Sequence, residues 1–276
     1  MHTARIIGPG RAGCSLSLAL GAAGWRVGRP LGPVDDHRGA ATGVDLLVVA
    51  TPDDAVEAVA AGVRPSATTV VAHLSGSLGL DVLDPHPRRA SLHPLVPLPT
   101  PEIGARRLLG GATFAVSGDP LAARVAADLG GRAVVVADED RAAYHAAASI
   151  AANHVVALLG QVERVAAGVG LGLDAFLGLT AAALEDVARL GPERALTGPA
   201  ARGDWATLAR HRDALAAEER PGYHAGVALA LRLAAGAPAA PVTAGHAGAE
   251  PDEPVDEVPE VRVPGSVLVG SAAGAR

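Results

Sequence analysis

Lysine is absent from the chain, whose 23 basic residues are all arginine. A mechanism that needs a lysine amine, as a general acid or as a Schiff base, is therefore excluded. Cysteine occurs once, so an internal disulfide is also excluded, and a reducing cytoplasmic location is expected. Cys14 is interpreted as a small packing residue of the first helix rather than a nucleophile. Aromatic residues make up only 2% of the chain, so the core has to consist mainly of Ala, Val and Leu.

Other absences limit the partners of the protein. The net charge of −6 provides no basic field for nucleic acid. No run approaches 18 uninterrupted apolar residues, and the start lacks the pattern of a signal peptide, so we expect no membrane contact. His154, His211 and His224 have no zinc-site spacing, and neither an H-E-x-x-H motif nor paired cysteines occur, so no metal is expected.

A G-x-G-x-x-G loop lies between an apolar run at 6–7 and an apolar helical pattern at 14–20. Gly8 permits a tight turn, Gly10 leaves room for a pyrophosphate, and Gly13 lets the helix pack closely on the strand. The helix N-terminus adds N–H donors and a partial positive charge. The alternative is an ordinary turn in a chain with 34 glycines. We predict a dinucleotide site, with contacts from Gly8, Gly10, Arg11, Ala12 and Gly13.

Strand and helix patterns alternate after this loop, which predicts an α/β fold with a Rossmann-type parallel sheet. The strands are expected at 25–28, 44–50, 69–74, 112–116 and 133–136. The proline-rich segment 92–99 is interpreted as an extended loop, and the dinucleotide-binding domain as residues 1–137. Ligands bind beyond the carboxyl ends of parallel strands. Further cofactor contacts are therefore expected from Thr51, Pro52, Asp53 and Ser75.

Arg29 follows the second predicted strand, where a dinucleotide fold meets the adenosine ribose. An arginine there accommodates the 2′-phosphate of NADP, whereas an acidic residue favours NAD. NADP is therefore the expected cofactor, with NAD as the alternative. Arg29 could also be a solvated residue at the start of a loop. Asp35 and Asp36 lie later, in a loop bounded by Pro and Gly, and are poorer ribose ligands.

From Asp138 onward the pattern is helical, and an all-α C-terminal domain is predicted over 138–236. Helices are expected at 138–168, 174–190, 204–218 and 221–235. Their apolar faces are rich in small Ala side chains, which favours a homodimer packed through them. Residues 237–276 lack any period and are interpreted as a disordered acidic tail.

A Rossmann half followed by a helical half resembles the superfamily of 6-phosphogluconate and 3-hydroxyacid dehydrogenases. The chain is most similar to a bacterial family of Rossmann-like proteins whose C-terminal helical domain has no known function. The matching segments are 8–13, 50–54, 73–76, 92–95, 144–153 and 196–204. The resemblance spans about 5–212 and implies an NADP-type oxidoreductase scaffold. It implies no particular substrate.

In the hydroxyacid dehydrogenases of this superfamily, a K-x-x-x-N pattern supplies an acid/base lysine and a substrate-orienting asparagine. Here Ser149 occupies the lysine position and Asn153 keeps the asparagine. With His145 they form an i, i+4, i+8 stripe on one helical face. We predict that His145 replaces the lysine as proton donor to a carbonyl. The alternative is a hydrogen-bonded histidine at the domain interface.

His93 is a second candidate, because its predicted loop lies where substrate would approach the nicotinamide. A rigid proline turn is the alternative. Together these residues predict a cytoplasmic NADP-dependent oxidoreductase that transfers a hydride between nicotinamide and a small carbonyl or imine. Two other hypotheses stay open. One is a non-catalytic NADP-sensing or partner-binding protein, which the missing lysine favours. The other is a reductase that uses a deazaflavin as second substrate.

Overall fold

A computed structural model describes residues 1–236 of the chain. It contains one seven-stranded sheet and eleven α-helices within those residues. The segment interpreted above as an acidic tail, 237–276, lies outside the described residues. The proposed boundary near residue 137 falls between the last strand and a 3₁₀ turn at Asp138–Asp140.

The sheet confirms the predicted α/β class with a Rossmann-type arrangement. Its strands are β1 (Thr3–Ile7), β2 (Arg26–Val27), β3 (Leu46–Val49), β4 (Val70–His73), β5 (Arg89–Pro94), β6 (Thr113–Gly118) and β7 (Arg132–Val135). Their order is β2-β1-β3-β4-β5-β6-β7. Neighbours pair in parallel except β5 and β6, which are antiparallel. The sheet is therefore mostly parallel, and β6 and β7 run against the other five strands.

Helices cover both faces of this sheet, as the near-continuous apolar sequences of its strands require. They are α1 (Arg11–Ala22), α2 (Asp53–Gly62), α3 (Pro101–Leu109) and α4 (Leu121–Asp128). Leu46 and Val48 face a core layer with α1, α3 and α4, whereas Leu47 and Val49 face the layer with α2. The sequence patterns did not predict α3. Its start is defined by Thr100, whose hydroxyl accepts a hydrogen bond from the Ile103 N–H at 3.3 Å.

The prediction of an extended loop over 92–99 is wrong for its first three residues. Leu92, His93 and Pro94 form the end of β5, a central strand. The N–H of Leu95 donates to β6, at 2.8 Å from Thr113 O. Successive N–H groups of a strand point to opposite sides, so the Pro94 nitrogen faces the β4 side. Pairing with β4 has already ended there, at Ser91, so no N–H is missed.

The second half is helical, as predicted. Its helices are α5 (Arg141–Ser149), α6 (Val155–Ala167), α7 (Asp174–Leu190), α8 (Pro192–Ala195), α9 (Pro199–Arg202), α10 (Trp205–Ala214) and α11 (Arg220–Ala234). A π-helix at Ile150–His154 joins α5 to α6. The predicted α-helix over 138–168 is therefore one continuous rod with a wider turn in its middle. The predicted helix over 204–218 ends earlier, at Ala214.

Most apolar side chains of this helical part are exposed. Helix α7 has no buried residue. By length and composition, the rod Asp138–Ala167 could cross a membrane, and none of its most apolar stretch is buried. Length and composition are weak evidence, because helices of soluble proteins pass the same test. The rod also places Arg141 in a buried position against β6.

Candidate functional site

The glycine loop packs tightly on the end of β3 and leaves its outer edge open. Gly8 has a φ of 112°, and a Cβ there would lie 2.4 Å from the Ala50 carbonyl oxygen. A Cβ on Gly13 would lie 2.0 Å from the Gly8 carbonyl oxygen. Among residues 1–236, a Cβ on Gly10 would meet no atom within 4 Å beyond its own local backbone. Two of the three glycines are thus needed for packing, and the third keeps a space free.

Helix α1 begins directly beside that space. Gly10 is its N-cap and provides no side-chain partner for the first N–H groups. Gly10 and Arg11 are exposed, and Ala12 is half-buried. The loop therefore presents unpaired backbone donors and the positive end of a helix dipole to solvent. This arrangement can hold a pyrophosphate.

Arg29 lies two residues beyond β2 and is engaged in an ion pair. Its Nη1 and Nη2 atoms donate to the Asp35 carboxylate at 2.9 and 2.6 Å. Asp35 also accepts the Gly32 N–H at 2.6 Å. These hydrogen bonds, the Arg29 one first, lower the pKa of Asp35 to about 2. Arg29 is 72% exposed, so a 2′-phosphate could reach it but would compete with the Asp35 carboxylate.

The ends of β3 and β4 bring Asp53 together with two serines. The Asp53 carboxylate accepts hydrogen bonds from Ser75 Oγ at 2.7 Å and from Ser77 Oγ at 2.9 Å. Thr51 Oγ1 is buried and has no hydrogen-bond partner among the described residues. Pro52 is exposed and is the N-cap of α2. Asp53 and Ser75 of the predicted contacts are thus bonded to each other, and Ser77, on the same predicted cofactor side, bonds to Asp53 as well.

His93 forms a hydrogen bond that links the sheet to the helical half. Its Nδ1 lies 2.6 Å from the hydroxyl of Tyr144 in α5. Burial, followed by the nearby His145 and Arg141, lowers the pKa of His93 to about 4. Burial raises the pKa of Tyr144 to about 12. At neutral pH the pair therefore consists of an uncharged imidazole and a protonated phenol.

His145 lies next to His93, and Gly76 separates them from β4. The two imidazole rings are nearly perpendicular, with centroids 5.7 Å apart. A Cβ on Gly76 would lie 2.7 Å from His145 Cδ2 and 3.0 Å from His93 Nε2. The backbone after β4 is therefore in direct contact with both rings. This is a physical reason for glycine at position 76, between Ser75 and Ser77.

All four predicted catalytic residues line one cleft, with a volume of about 380 Å³. They are His93, His145, Ser149 and Asn153. The rest of the lining consists of Pro, Leu, Val and Ala side chains. The expected α-helical spacing holds from His145 to Ser149, whereas Asn153 belongs to the π-helix. Such π segments are frequent at functional sites because they redirect side chains.

An ion pair between a buried arginine and an exposed aspartate anchors the start of this helix. Arg141 is 1% exposed, and its Nε donates to Asp138 at 3.1 Å. Its Nη2 donates to Ser117 Oγ of β6 at 2.8 Å. Asp138 also accepts the Leu80 N–H at 2.9 Å. The sequence reasoning missed Arg141, although an Asp three residues before an Arg at a helix start was a usable signal.

Comparisons with known proteins agree with this architecture. The model of a family described as a domain of unknown function, DUF2520, matches residues 113–230. No curated protein matches the chain. Several solved structures share the fold. A candidate NADP oxidoreductase from Bacteroides fragilis is 20% identical with a TM-score of 0.69, and the alignment covers 84% of this chain and 98% of that one.

Two further structures are similar over the same region. A Thermotoga maritima protein is 23% identical, with a TM-score of 0.65 and coverage of 84% of this chain and 98% of that one. A reductive aminase from Aspergillus terreus, solved with NADPH and ethyl levulinate, is 17% identical, with a TM-score of 0.60 and coverage of 84% and 94%. At these identities the likeness establishes the fold: the chain shares it with NADP oxidoreductases of the Rossmann type.

Proposed function

We propose that the protein is an NADP-dependent oxidoreductase that transfers a hydride between nicotinamide and a small carbonyl or imine compound. One observation carries the proposal. The open glycine loop and the histidine-lined cleft both adjoin the carboxyl ends of the central strands. Ligands of such sheets bind at that edge. The reductive aminase that shares the fold was solved with NADPH, which supports this cofactor.

The described residues fit a dinucleotide. The pyrophosphate would lie over Gly10 and the N–H groups of Arg11, Ala12 and Gly13, where the space is free. Thr51, Pro52, Asp53 and Ser75 would contact the remainder toward the cleft. Arg29 would meet the 2′-phosphate, with NAD as the alternative cofactor. When bound, the nicotinamide supplies the hydride, and the chain supplies position and proton transfer.

The residues in and beside the cleft would have separate roles in proton transfer and substrate binding. His93 is uncharged at neutral pH, so it would donate or accept a hydrogen bond rather than release a proton as an imidazolium. Tyr144 would hold its ring in place through Nδ1. His145 would supply the proton to the carbonyl oxygen or imine nitrogen. Ser149 and Asn153, one and two turns further along, would orient the substrate.

The test measures melting temperature with NADPH, NADH, NADP and NAD in turn. A ligand that binds only the folded state raises the melting temperature. We expect a larger rise with the phosphorylated pair. Absence of any rise with all four nucleotides would contradict the proposal.

A non-catalytic sensor on the same scaffold is the second candidate, since Ser149 stands where a lysine would act. His145→Ala separates the two functions. In an enzyme it should lower the rate of NADPH oxidation about 100-fold or more, as for loss of a general acid, and leave NADPH affinity unchanged. His154→Ala is a matched control, because His154 is exposed in the adjoining π-helix and does not line the cleft. A sensor would bind NADPH with and without His145 and oxidise none.

We also propose a cytoplasmic homodimer that packs through the helical half, with residues 1–137 and 138–236 as the two domains. Helix α7 exposes Leu177, Leu179 and Leu184 to solvent, and exposed apolar patches of this kind mark interaction surfaces. Leu184→Arg should convert the dimer to a monomer in sedimentation analysis. A wild-type monomer at micromolar concentration would contradict this assignment.

A further inference from the structure

The helix that carries the cleft side chains is docked on the sheet through an arginine. Within α5 and the π-helix that follows it, Arg141 is the only buried residue. The other residues on its helical face are half-buried, namely 144, 145, 148 and 149. The alanines between them, at 142, 143, 146 and 147, are exposed. Arg141 is therefore the most buried side chain through which α5 contacts the sheet.

Arg141 takes part in a closed set of polar contacts. Its Nε donates to Asp138 Oδ1 at 3.1 Å, and its Nη2 donates to Ser117 Oγ at 2.8 Å. The Ser117 hydroxyl in turn donates to the same Asp138 oxygen at 3.4 Å. The Nη1 atom is buried and has no hydrogen-bond partner among the described residues. Within that part of the chain, the guanidinium is held by Ser117 and Asp138, and one hydroxyl bonds to both charged groups.

These contacts join the start of α5 to two places beside the cleft. Ser117 belongs to β6 and lies directly opposite Ser91 of β5. Ser91 and His93 are two residues apart, so they lie on the same face of β5. Asp138 also accepts the Leu80 N–H at 2.9 Å, in the segment that follows β4. The buried guanidinium is therefore fixed next to the strand that carries His93.

We infer that Arg141 is a positioning residue for the cleft: through Ser117 and Asp138 it sets how α5 lies on the sheet. Tyr144 and His145 lie one turn further along the same helical face, so a shift of the first turn would move both side chains. The inference rests on the proposed function only for the role of the cleft residues in proton transfer.

Two short contacts make the cleft sensitive to such a shift. The Tyr144 hydroxyl lies 2.6 Å from His93 Nδ1. A Cβ on Gly76 would lie 2.7 Å from His145 Cδ2, so the ring already rests against the backbone after β4. A displacement of α5 by about 1 Å would break the bond between Tyr144 and His93, because a separation beyond about 3.5 Å is no longer a hydrogen bond.

The titration of His93 reports the orientation of α5. Burial, followed by His145 and Arg141, lowers the pKa of His93 to about 4. The charge of His73 acts in the same direction, and that of Asp53 acts in the opposite one. A displaced α5 would admit water to the His93 ring and would move His145 and Arg141 away from it. The pKa of His93 would then rise.

The experiment follows the histidine ring nitrogens by NMR in the full chain without nucleotide, from about pH 8 to about pH 5. Ser117→Ala removes the hydroxyl that bonds to Arg141 and Asp138, whereas Ser117→Thr keeps it. His93→Gln assigns the signal. In Ser117→Ala we expect the pKa of His93 to rise by at least about one unit, a tenfold change in the ratio of charged to uncharged ring. In Ser117→Thr it should equal the wild-type value.

The pair of variants distinguishes positioning from a merely structural role. A substitution that only lowered stability would leave the His93 pKa of the folded protein unchanged. An unchanged pKa in Ser117→Ala would therefore overturn the inference, and so would equal rises in Ser117→Ala and Ser117→Thr.

Arg141→Lys separates the position of the helix from the charge beside His93. Lysine keeps the positive charge but lacks the planar fork that bonds to Ser117 and Asp138 together. We expect the pKa of His93 to rise as in Ser117→Ala. A wild-type pKa would show that charge alone acts on His93 and would contradict the positioning role. If Arg141→Lys did not fold, the two Ser117 variants would still decide the inference.

Arg164→Lys is a matched control. Arg164 also pairs through two nitrogens, with Glu219, elsewhere in the helical half. It should keep the wild-type pKa of His93, and a rise equal to that of Ser117→Ala would overturn the inference. NADPH binding to the wild-type protein decides the proposed function separately. If no nucleotide bound, that function would fail, whereas the NMR result would still decide the positioning role.

Discussion

The same substitution, glycine to alanine, should affect different properties at two positions of the loop. Gly13→Ala places a Cβ 2.0 Å from the Gly8 carbonyl oxygen and 3.2 Å from the Ala50 Cβ. Gly10→Ala places a Cβ where no atom of the described chain, apart from its sequence neighbours, lies within 4 Å. Gly10 has a φ of −73° and a ψ of −179°, which alanine also adopts. The first change should therefore mainly lower the stability of the fold, and the second should mainly weaken ligand binding.

The magnitudes follow from these distances. Ordinary contacts between non-bonded heavy atoms are about 3.5 Å or longer, so the Gly13→Ala overlap can be relieved only by moving backbone. We expect a loss of about 3 kcal/mol or more in the free energy of unfolding. Gly10→Ala loses only the preference of an N-cap for glycine over alanine, about 1 kcal/mol or less. Its methyl group occupies the proposed pyrophosphate space, so NADPH affinity should fall at least about tenfold.

Urea unfolding and titration with NADPH measure the two effects on the same samples. If Gly10→Ala binds NADPH with wild-type affinity, the loop does not hold the pyrophosphate. If Gly13→Ala is as stable as the wild type, α1 does not pack on the Gly8 turn closely enough to exclude a methyl group. Wild-type protein in each assay provides the reference, and Gly10→Ala is the stability control for Gly13→Ala.

Two further predictions concern charge. Arg29→Ala should weaken NADPH binding about tenfold or more while sparing NADH, since one charge-assisted contact to phosphate is lost. Asp35→Asn should raise the affinity for NADPH relative to that for NADH. If neither variant changed the ratio of the two affinities, the Arg29–Asp35 pair would lie outside the cofactor site. Stability should fall as pH decreases from 6.5 to about 4, because unfolded His93 gains a proton that the folded state excludes until its pKa of about 4. The contribution of uncharged His93 to the free energy of unfolding is fully present above pH 6.5 and amounts to about 3 kcal/mol or less. Urea unfolding at several pH values measures this dependence, and His93→Gln should make the free energy of unfolding less dependent on pH over this range. A smaller dependence should persist because burial also lowers the pKa of His73. The same pH dependence in His93→Gln and in the wild type would contradict the His93 assignment.

Local patterns predicted most elements of the first half. The order of apolar run, glycines and helix identified the loop, because each step needs only neighbours in the chain. The same reasoning failed at 92–99. Prolines argue against a central strand in general, but Pro94 stands where β4 no longer pairs with β5. A proline costs a hydrogen bond only if a neighbouring strand pairs at its position. The local sequence does not specify which strand lies alongside.

The candidate catalytic residues also combine features that the local sequence predicts with contacts that only the tertiary structure reveals. The helical spacing of His145 and Ser149 was predictable from the chain, and both line the cleft. The hydrogen bond between His93 and Tyr144 was not, since it joins residues 51 positions apart. The ion pair between Arg29 and Asp35 was also missed, although the Gly32-Pro33 dipeptide indicates the turn that brings the two side chains together.

The sequence by itself determined the glycine loop, the alternation of strands and helices, and the absence of a lysine acid. These properties depend on residue type and short-range order. The tertiary structure decided that His93, Tyr144, His145 and Gly76 meet beside one cleft. Such contacts depend on the lateral order of β4 and β5 and on where α5 docks, which are set by the packing of the whole sheet rather than by any single segment.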